Sequence, residues 1–430
     1  MVKKTLLPNG IKIVTCKMPH VRTVSMGVWV NIGARDESEQ QNGLSHFIEH
    51  MIFKGTTRRS AYQIAKAFDA IGGHTNAFTS MEHTCYHAKV MDAHLETMVD
   101  ILSDIFLNSL FDETEVERER PVISQEIGMV EDTPEEYVHQ LAGGNFWGSH
   151  PLGRSILGSR ENILGFGAGT IRDFFHNFYH PERIVISVTG SVDHNAIVDL
   201  VGPAFSSIRT GLPLPERTQP GICSGVHLHE RALEQVHICL AAKGLSVTDP
   251  RRFAFSLLNT ILGGNMSSRL FQQIREQQGL AYSIYSFVTS HVDSGMSGVY
   301  TGVQSGNVYQ ATRLVLEAME ALRQTPVSDE ELHDAKEYTK GNLFLASEST
   351  DNQMVRLAQN EIHFGHYIPL QEVIDQVEDV TPEQIRDLAC DLFQPRQISL
   401  TLLGPMDHRD QLDDRLIDDI MNVEPNTGAA

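Results

Sequence analysis

The sequence predicts an α+β fold built of two similar halves joined by a short linker. Three observations predict it. The chain has 430 residues, more than one ordinary core accommodates, so two or more domains are expected. A succession of strand, helix and paired strands between residues 24 and 90 has a counterpart between 236 and 303. Between the two lies "RTGLPLPERTQPG", residues 209–221, with three prolines, two glycines and little apolar content. The expected boundaries are 1–208, a linker at 209–224, and 225–430.

In the first half, "LLPNGIKIV" turns at Pro8-Asn9-Gly10. Val24, Met26, Val28, Val30 and Ile32 then alternate with Ser25, Gly27, Trp29 and Asn31, the pattern of a half-buried strand. "GLSHFIEHMIFKGT", 43–56, follows as a helix. A second helix starts at Ser60, sets Ile64, Ala65, Phe68 and Ile71 on one face, and stops at Gly72-Gly73. "HTNAFTS" and "HTCYHAKV" read as two strands. A helix near 93–107 buries Leu95, Met98, Val99, Leu102 and Phe106, and a long helix runs from about Asp112 into the 140s.

In the second half, "VHICLAA" stands where "VSMGVWV" stood, and "FAFSLLNTILGG" where "GLSHFIEHMIF" stood. "AYSIYSFVTS" and "MSGVYTGV" repeat the paired strands. "VYQATRLVLEAMEALR" and "SDEELHDAKEYTKGNLF" follow as amphipathic helices. The stretch from about Asp407 is acidic and expected to be loosely held.

Composition narrows the function. Apolar residues make up 41% and charged residues 21%, a globular profile. A formal charge of −21 argues against nucleic-acid binding and favours a cationic partner such as a basic peptide. The first residues lack a signal-type apolar segment, and no run reaches the roughly 18 apolar residues of a membrane helix. Cys16, Cys85, Cys223, Cys239 and Cys390 are odd in number and form no CxxC pair, which reads as free thiols in a reducing compartment. The expectation is a cytoplasmic protein.

The chemistry concentrates in "SHFIEHM". On a helix His46 and His50 share a face, and Glu49 lies beside them. Two imidazoles can bind one ion there while Glu49 reaches a water on it. A histidine-rich amphipathic helix without a metal has the same pattern. Further on, Glu119 and Glu126 lie seven residues apart, two turns along one face. Val122, Ile123 and Ile127 flank that face, where a carboxylate is costly unless paired or metal-bound. Taken locally, Glu126 is either a third ligand or one more member of a solvated acidic helix with Glu113, Glu115, Glu117 and Glu131.

These residues resemble the pitrilysin-type zinc peptidases, the group of insulin-degrading enzyme and the mitochondrial processing peptidase, whose inverted His-x-x-Glu-His binds zinc. The family's third ligand, a glutamate about 76 residues beyond the second histidine, falls on Glu126, and its supporting glutamate on Glu119. "GGHTNAFTSMEHTCY" is similar to the family's substrate-binding edge strand, with Asn76 and Ala77 at the matching positions. "SRLFQQIREQQGLAYSIYS" resembles its Arg-x6-Tyr element, matched by Arg275 and Tyr282.

The resemblance covers nearly the whole chain. It implies two halves, each a mostly antiparallel sheet with helices packed on one face, and an enclosed chamber formed by two such chains. It implies one Zn²⁺ per chain on His46, His50 and Glu126, with Glu49 as general base and Glu119, Arg275 and Tyr282 in catalytic roles. A zinc endopeptidase acting on peptides is expected, as a homodimer or as a heterodimer with an inactive homologue. The rival expectations are a non-catalytic core-type or scaffold subunit and a peptide-binding module with structural zinc. Pro121 departs from a simple ligand helix, and a bend there would alter the relative aim of Glu119 and Glu126.

Overall fold

The computed structural model describes residues 2–213 and 216–405, together with Met421. Apart from Met421, the acidic stretch from Asp407 lies outside the described residues. The strands are β1 (Val2–Leu6), β2 (Lys12–Lys17), β3 (Thr23–Val30), β4 (His74–Thr79), β5 (Thr84–Met91), β6 (Ile184–Gly190), β7 (Gly225–Glu230), β8 (Val236–Lys243), β9 (Ala281–Ser290), β10 (Gly295–Val303) and β11 (Ser399–Gly404). The α-helices as far as the linker are α1 (Leu44–Met51), α2 (Ala61–Asp69), α3 (Leu95–Asn108), α4 (Glu113–Asp132), α5 (Pro134–Trp147), α6 (Arg160–Gly165), α7 (Ala168–Phe178) and α8 (His194–Phe205). After it come α9 (Arg252–Asn259), α10 (Val308–Gln324), α11 (Asp329–Ser347), α12 (Thr350–Phe364), α13 (Leu370–Glu378) and α14 (Pro382–Leu392).

Packing divides the chain into two units. The first holds Met1–Met129, Arg154–Thr218 and Phe344–Ile368; the second holds Val130–Gly153, Gln219–Leu343 and Pro369–Ala430. Each unit thus includes one helix from the sequence of the other half: α12 packs in the first and α5 in the second.

In the first unit the sheet order is β1-β2-β6-β3-β5-β4, antiparallel except for the β2–β6 pair. In the second it is β7-β11-β8-β10-β9, antiparallel except for β7–β11. From β2 onward the two orders match strand for strand, with the parallel pair in the same place. The duplication expected from the recurring pattern is therefore present in the topology.

The inward face of β3 is as its alternation predicts: Val24, Met26, Val28 and Val30 are fully buried with Leu44, Phe47, Ile48 and Met51 of α1. Each such side chain contributes about 1.5–3 kcal/mol by leaving water. The other face differs from a half-buried strand. Ser25 and Trp29 are buried too, because α12 covers that side with Met354, Leu357 and Ala358. Ser25 Oγ donates to Thr350 Oγ1 at 2.8 Å and to Asp351 Oδ1 at 2.6 Å, and the Trp29 indole N–H donates to Ser187 Oγ at 3.1 Å. Gly27 permits the approach, since a Cβ there would stand 2.5 Å from Met354 Sδ. In the second unit α5 covers the equivalent face, with Val138 and Ala142 against Cys239, Tyr300 and Leu403. Each sheet therefore has its helical layer on one face and a single long helix on the other.

The long helix expected from Asp112 into the 140s is two helices. Thr133 is extended, at φ −104° and ψ 96°, and Pro134 opens α5. The residue before a proline avoids the helical region, and proline is well suited to a first helical turn, which is why the break falls there. Pro121, by contrast, lies inside α4, which continues on both sides of it.

Candidate metal centre

Helix α1 is short and tightly held. Gly43 begins it with φ 106°, a conformation glycine adopts without a Cβ penalty. The buried Glu37 carboxylate caps it, accepting from the backbone N–H of Gly43 at 2.8 Å and of Ser45 at 2.6 Å, and from Asn42 Nδ2 at 3.2 Å. Burial pushes Glu37 up to about 7 against the pull of those donors. With its apolar face in the core, α1 directs His46, Glu49 and His50 to one side.

His50 Nε2 lies 3.3 Å from Glu126 Oε2, and His46 Nε2 lies 3.6 Å from the same oxygen. The three donor atoms fall within 4.8 Å of one another, the one such convergence of three or more His, Cys, Asp or Glu groups among the described residues. Donors on a tetrahedral zinc with bonds of about 2.0–2.1 Å stand about 3.3–3.4 Å apart, close to the two distances from the histidine nitrogens to Glu126. Two imidazole nitrogens and one carboxylate oxygen also fit zinc in kind, with one position left for water. Hydrogen bonds from His46 and then His50 hold the Glu126 carboxyl well below the usual range. Burial pulls the His50 imidazolium down, but Glu126 and Glu119 together outweigh it and raise its pKa. His46 Nδ1 is buried without a hydrogen-bond partner among the described residues.

The other sequence-predicted residues divide by unit. Glu119, buried at 6% exposure, accepts from His50 Nδ1 at 3.1 Å, so Pro121 has not turned it away from the histidines. Glu49 accepts from Thr79 Oγ1 at 2.6 Å. Asn76 and Ala77 lie on β4, the last strand of its sheet. Ala77 faces the core and Asn76 is exposed, with Asn76 Oδ1 accepting from the Ala77 N–H at 2.9 Å. Arg275 and Tyr282 belong to the second unit, where the Arg275 guanidinium lies 4.9 Å from the centre of the exposed Tyr282 ring. His83 and His363 meet edge to face, with their ring centres 5.1 Å apart.

Sequence reasoning missed Glu37, Lys54 and Thr79. Thr79 had a signal: it shares the inward face of β4 with Ala77 by the two-residue period of a strand. Lys54 had one as well, four residues beyond His50. Glu37 had none, because a carboxylate capping a helix from a preceding irregular turn leaves no periodic trace.

Residues 12–160 match the family model for insulinase, peptidase family M16, and residues 166–338 match that for the peptidase M16 inactive domain. The chain is 41% identical over 410 residues to an uncharacterized zinc protease, YmxG, of Bacillus subtilis, covering 94% of this chain and 98% of that one. An uncharacterized zinc protease of Streptomyces coelicolor is 37% identical over 413 residues, with 94% and 90% covered. Among solved structures, a protease from Helicobacter pylori is similar with a TM-score of 0.87 and 20% identity, over 94% of this chain and 100% of that one. The peptidase M16 inactive domain from Pseudomonas fluorescens is similar with a TM-score of 0.88 and 18% identity, over 94% and 98%. At those identities the two structures show the fold alone.

Proposed function

The chain belongs to the M16 peptidase family, and from that premise we propose that it is a zinc-dependent endopeptidase hydrolysing peptides or short unfolded segments. The observation that carries the proposal is the convergence of His46, His50 and Glu126 donor atoms within 4.8 Å, with Glu49 on the helix that carries both histidines. A structural zinc site normally closes its shell with four protein ligands, often cysteines. Here three donors converge, and no cysteine is among them.

His46, His50 and Glu126 would hold one Zn²⁺ per chain. When bound, the ion supplies an acidified water and a Lewis acid for the scissile carbonyl. Glu49 takes the proton of the attacking water and returns it to the departing amine. The hydroxyl of Thr79 fixes one oxygen of Glu49, leaving the other for that transfer. Glu119 orients the His50 ring through Nδ1. A peptide pairs with the backbone at the β4 edge near Asn76 and Ala77, which gives affinity with little sequence demand. For Tyr282 and Arg275 we propose donation to the developing oxyanion and a hold on the substrate, by resemblance to the family's Arg-x6-Tyr element.

Basic peptides are the favoured substrates, given the formal charge of −21. A homodimer enclosing a chamber is the proposed assembly, and free cysteines at all five positions support a cytoplasmic setting. No helix among the described residues is long and apolar enough to cross a membrane. The rival reading, a non-catalytic core-type subunit, keeps no use for Glu49 or for the hydroxyl that holds it. Cleavage of a fluorogenic peptide with and without a chelator, alongside native mass, tests the proposal. Chelator-sensitive hydrolysis supports it; no hydrolysis by zinc-replete protein favours the rival.

A further inference from the structure

Lys54 sits in the turn that leaves α1, with its N–H on the carbonyl of Met51 at 3.0 Å. From there its ammonium reaches Glu119 Oε1 at 2.5 Å, while Glu119 Oε2 faces His50 Nδ1 at 3.1 Å. The other ring nitrogen of His50, Nε2, faces Glu126 and the metal position. Lysine, glutamate and histidine thus form a relay that ends on a zinc ligand.

We propose that Lys54 is a positioning residue for the metal centre: it holds the Glu119 carboxylate so that His50 keeps its proton on Nδ1 and presents Nε2 to the ion. The proposal rests on the zinc reading of the site. Two physical arguments support it. A mid-helix carboxylate as buried as Glu119 is costly alone, and Lys54 is the cation that satisfies it. With Oε1 engaged by Lys54, Oε2 remains an acceptor for His50, and the carboxylate is kept from swinging toward the cation as a surplus ligand. Partners that orient a metal-binding histidine in this way typically contribute 10- to 100-fold in metal affinity.

The test is equilibrium competition for zinc between the full-length protein and a chromogenic chelator, which reads metal affinity without reference to activity. Lys54→Met should weaken zinc binding about 10-fold or more, and Lys54→Arg should restore most of it. In a Glu119→Gln background Lys54→Met should change zinc affinity less than twofold, because the relay is already broken. A side chain of 31% exposure leaves the fold tolerant of the change, and a metal-free melting curve checks this. If Lys54→Met destabilises the metal-free chain, Lys54→Arg and the Glu119→Gln pair decide. Wild-type affinity in Lys54→Met, or equal losses with and without Glu119, overturns the proposal. Failure of the wild-type protein to bind one zinc overturns instead the reading on which it rests.

Discussion

Thr79 Oγ1 lies 2.6 Å from Glu49 Oε2, tying the end of the β4 edge strand to the glutamate between the two histidines. The same hydroxyl stands 3.5 Å from the Ser45 carbonyl, so the strand end is seated on the first turn of α1. The strand proposed to pair with substrate and the base proposed to act on water are therefore joined by one hydrogen bond.

Removing that bond should lower turnover without removing the metal. Thr79→Val keeps the shape and deletes the donor, so kcat should fall on the order of 10-fold with zinc content unchanged, and Thr79→Ser should retain activity. Glu49→Gln should keep zinc and abolish hydrolysis. Steady-state kinetics with metal analysis checks both, and normal turnover by Glu49→Gln would falsify its assignment as the base.

The ligand set predicts a different signature. His46→Ala and Glu126→Gln should each lose stoichiometric zinc after dialysis, and hydrolysis with it, while the melting curve of the metal-free protein changes little. Full zinc retention in either variant would remove that residue from the set.

The close packing of α12 on β3 is tested at Gly27. A Cβ there would stand 2.5 Å from Met354 Sδ and 2.6 Å from Trp29 Nε1. Gly27→Ala should destabilise the first unit by about 1–3 kcal/mol through overpacking. Shortening the neighbour in Gly27→Ala/Met354→Ala should make the combined loss smaller than the sum of the single losses. Strict additivity in thermal unfolding would mean the two side chains do not meet.

Acid stability should be limited by histidines of α5 and of the sheet it covers. His139 Nε2 hydrogen-bonds the Tyr285 hydroxyl at 2.9 Å, and Tyr285 also donates to Glu135 Oε1 at 2.8 Å. Burial lowers the pKa of His139, with Glu135 pulling the other way, and burial also lowers His229 and His237. A group whose folded pKa is depressed contributes stability fully above its unfolded value, about 6.5, and loses it as pH falls through the folded value. Urea unfolding should therefore show falling stability below about pH 6.5, with a shallower slope in His139→Gln. An unchanged slope would assign the acid sensitivity elsewhere.

Much of the fold was present in local pattern. The alternation over Val24–Val30, the apolar face from Ile64 to Phe68 and the strand "AYSIYSFVTS" depend on neighbours along the chain, and their spacing declares them. The position of Pro134 was equally visible, yet the residues around it form so even a helical pattern that one helix was expected where there are two.

By itself the sequence determined the duplicated α+β class and the two histidines on one face of α1, because helical and strand periods place side chains without knowledge of distant partners; Glu126 and Glu119 were singled out only through the family resemblance. Only the tertiary structure decided which charged and polar groups meet. Glu126 stands on both histidine rings, Glu119 between Lys54 and His50, and Thr79 on Glu49, through contacts that join residues 30 to 80 positions apart. It also decided that α5 and α12 each cover the sheet of the other half's unit, burying the second face of β3 and β8. A buried carboxylate or a covered sheet face depends on what the folded chain brings against it, and no periodicity records that.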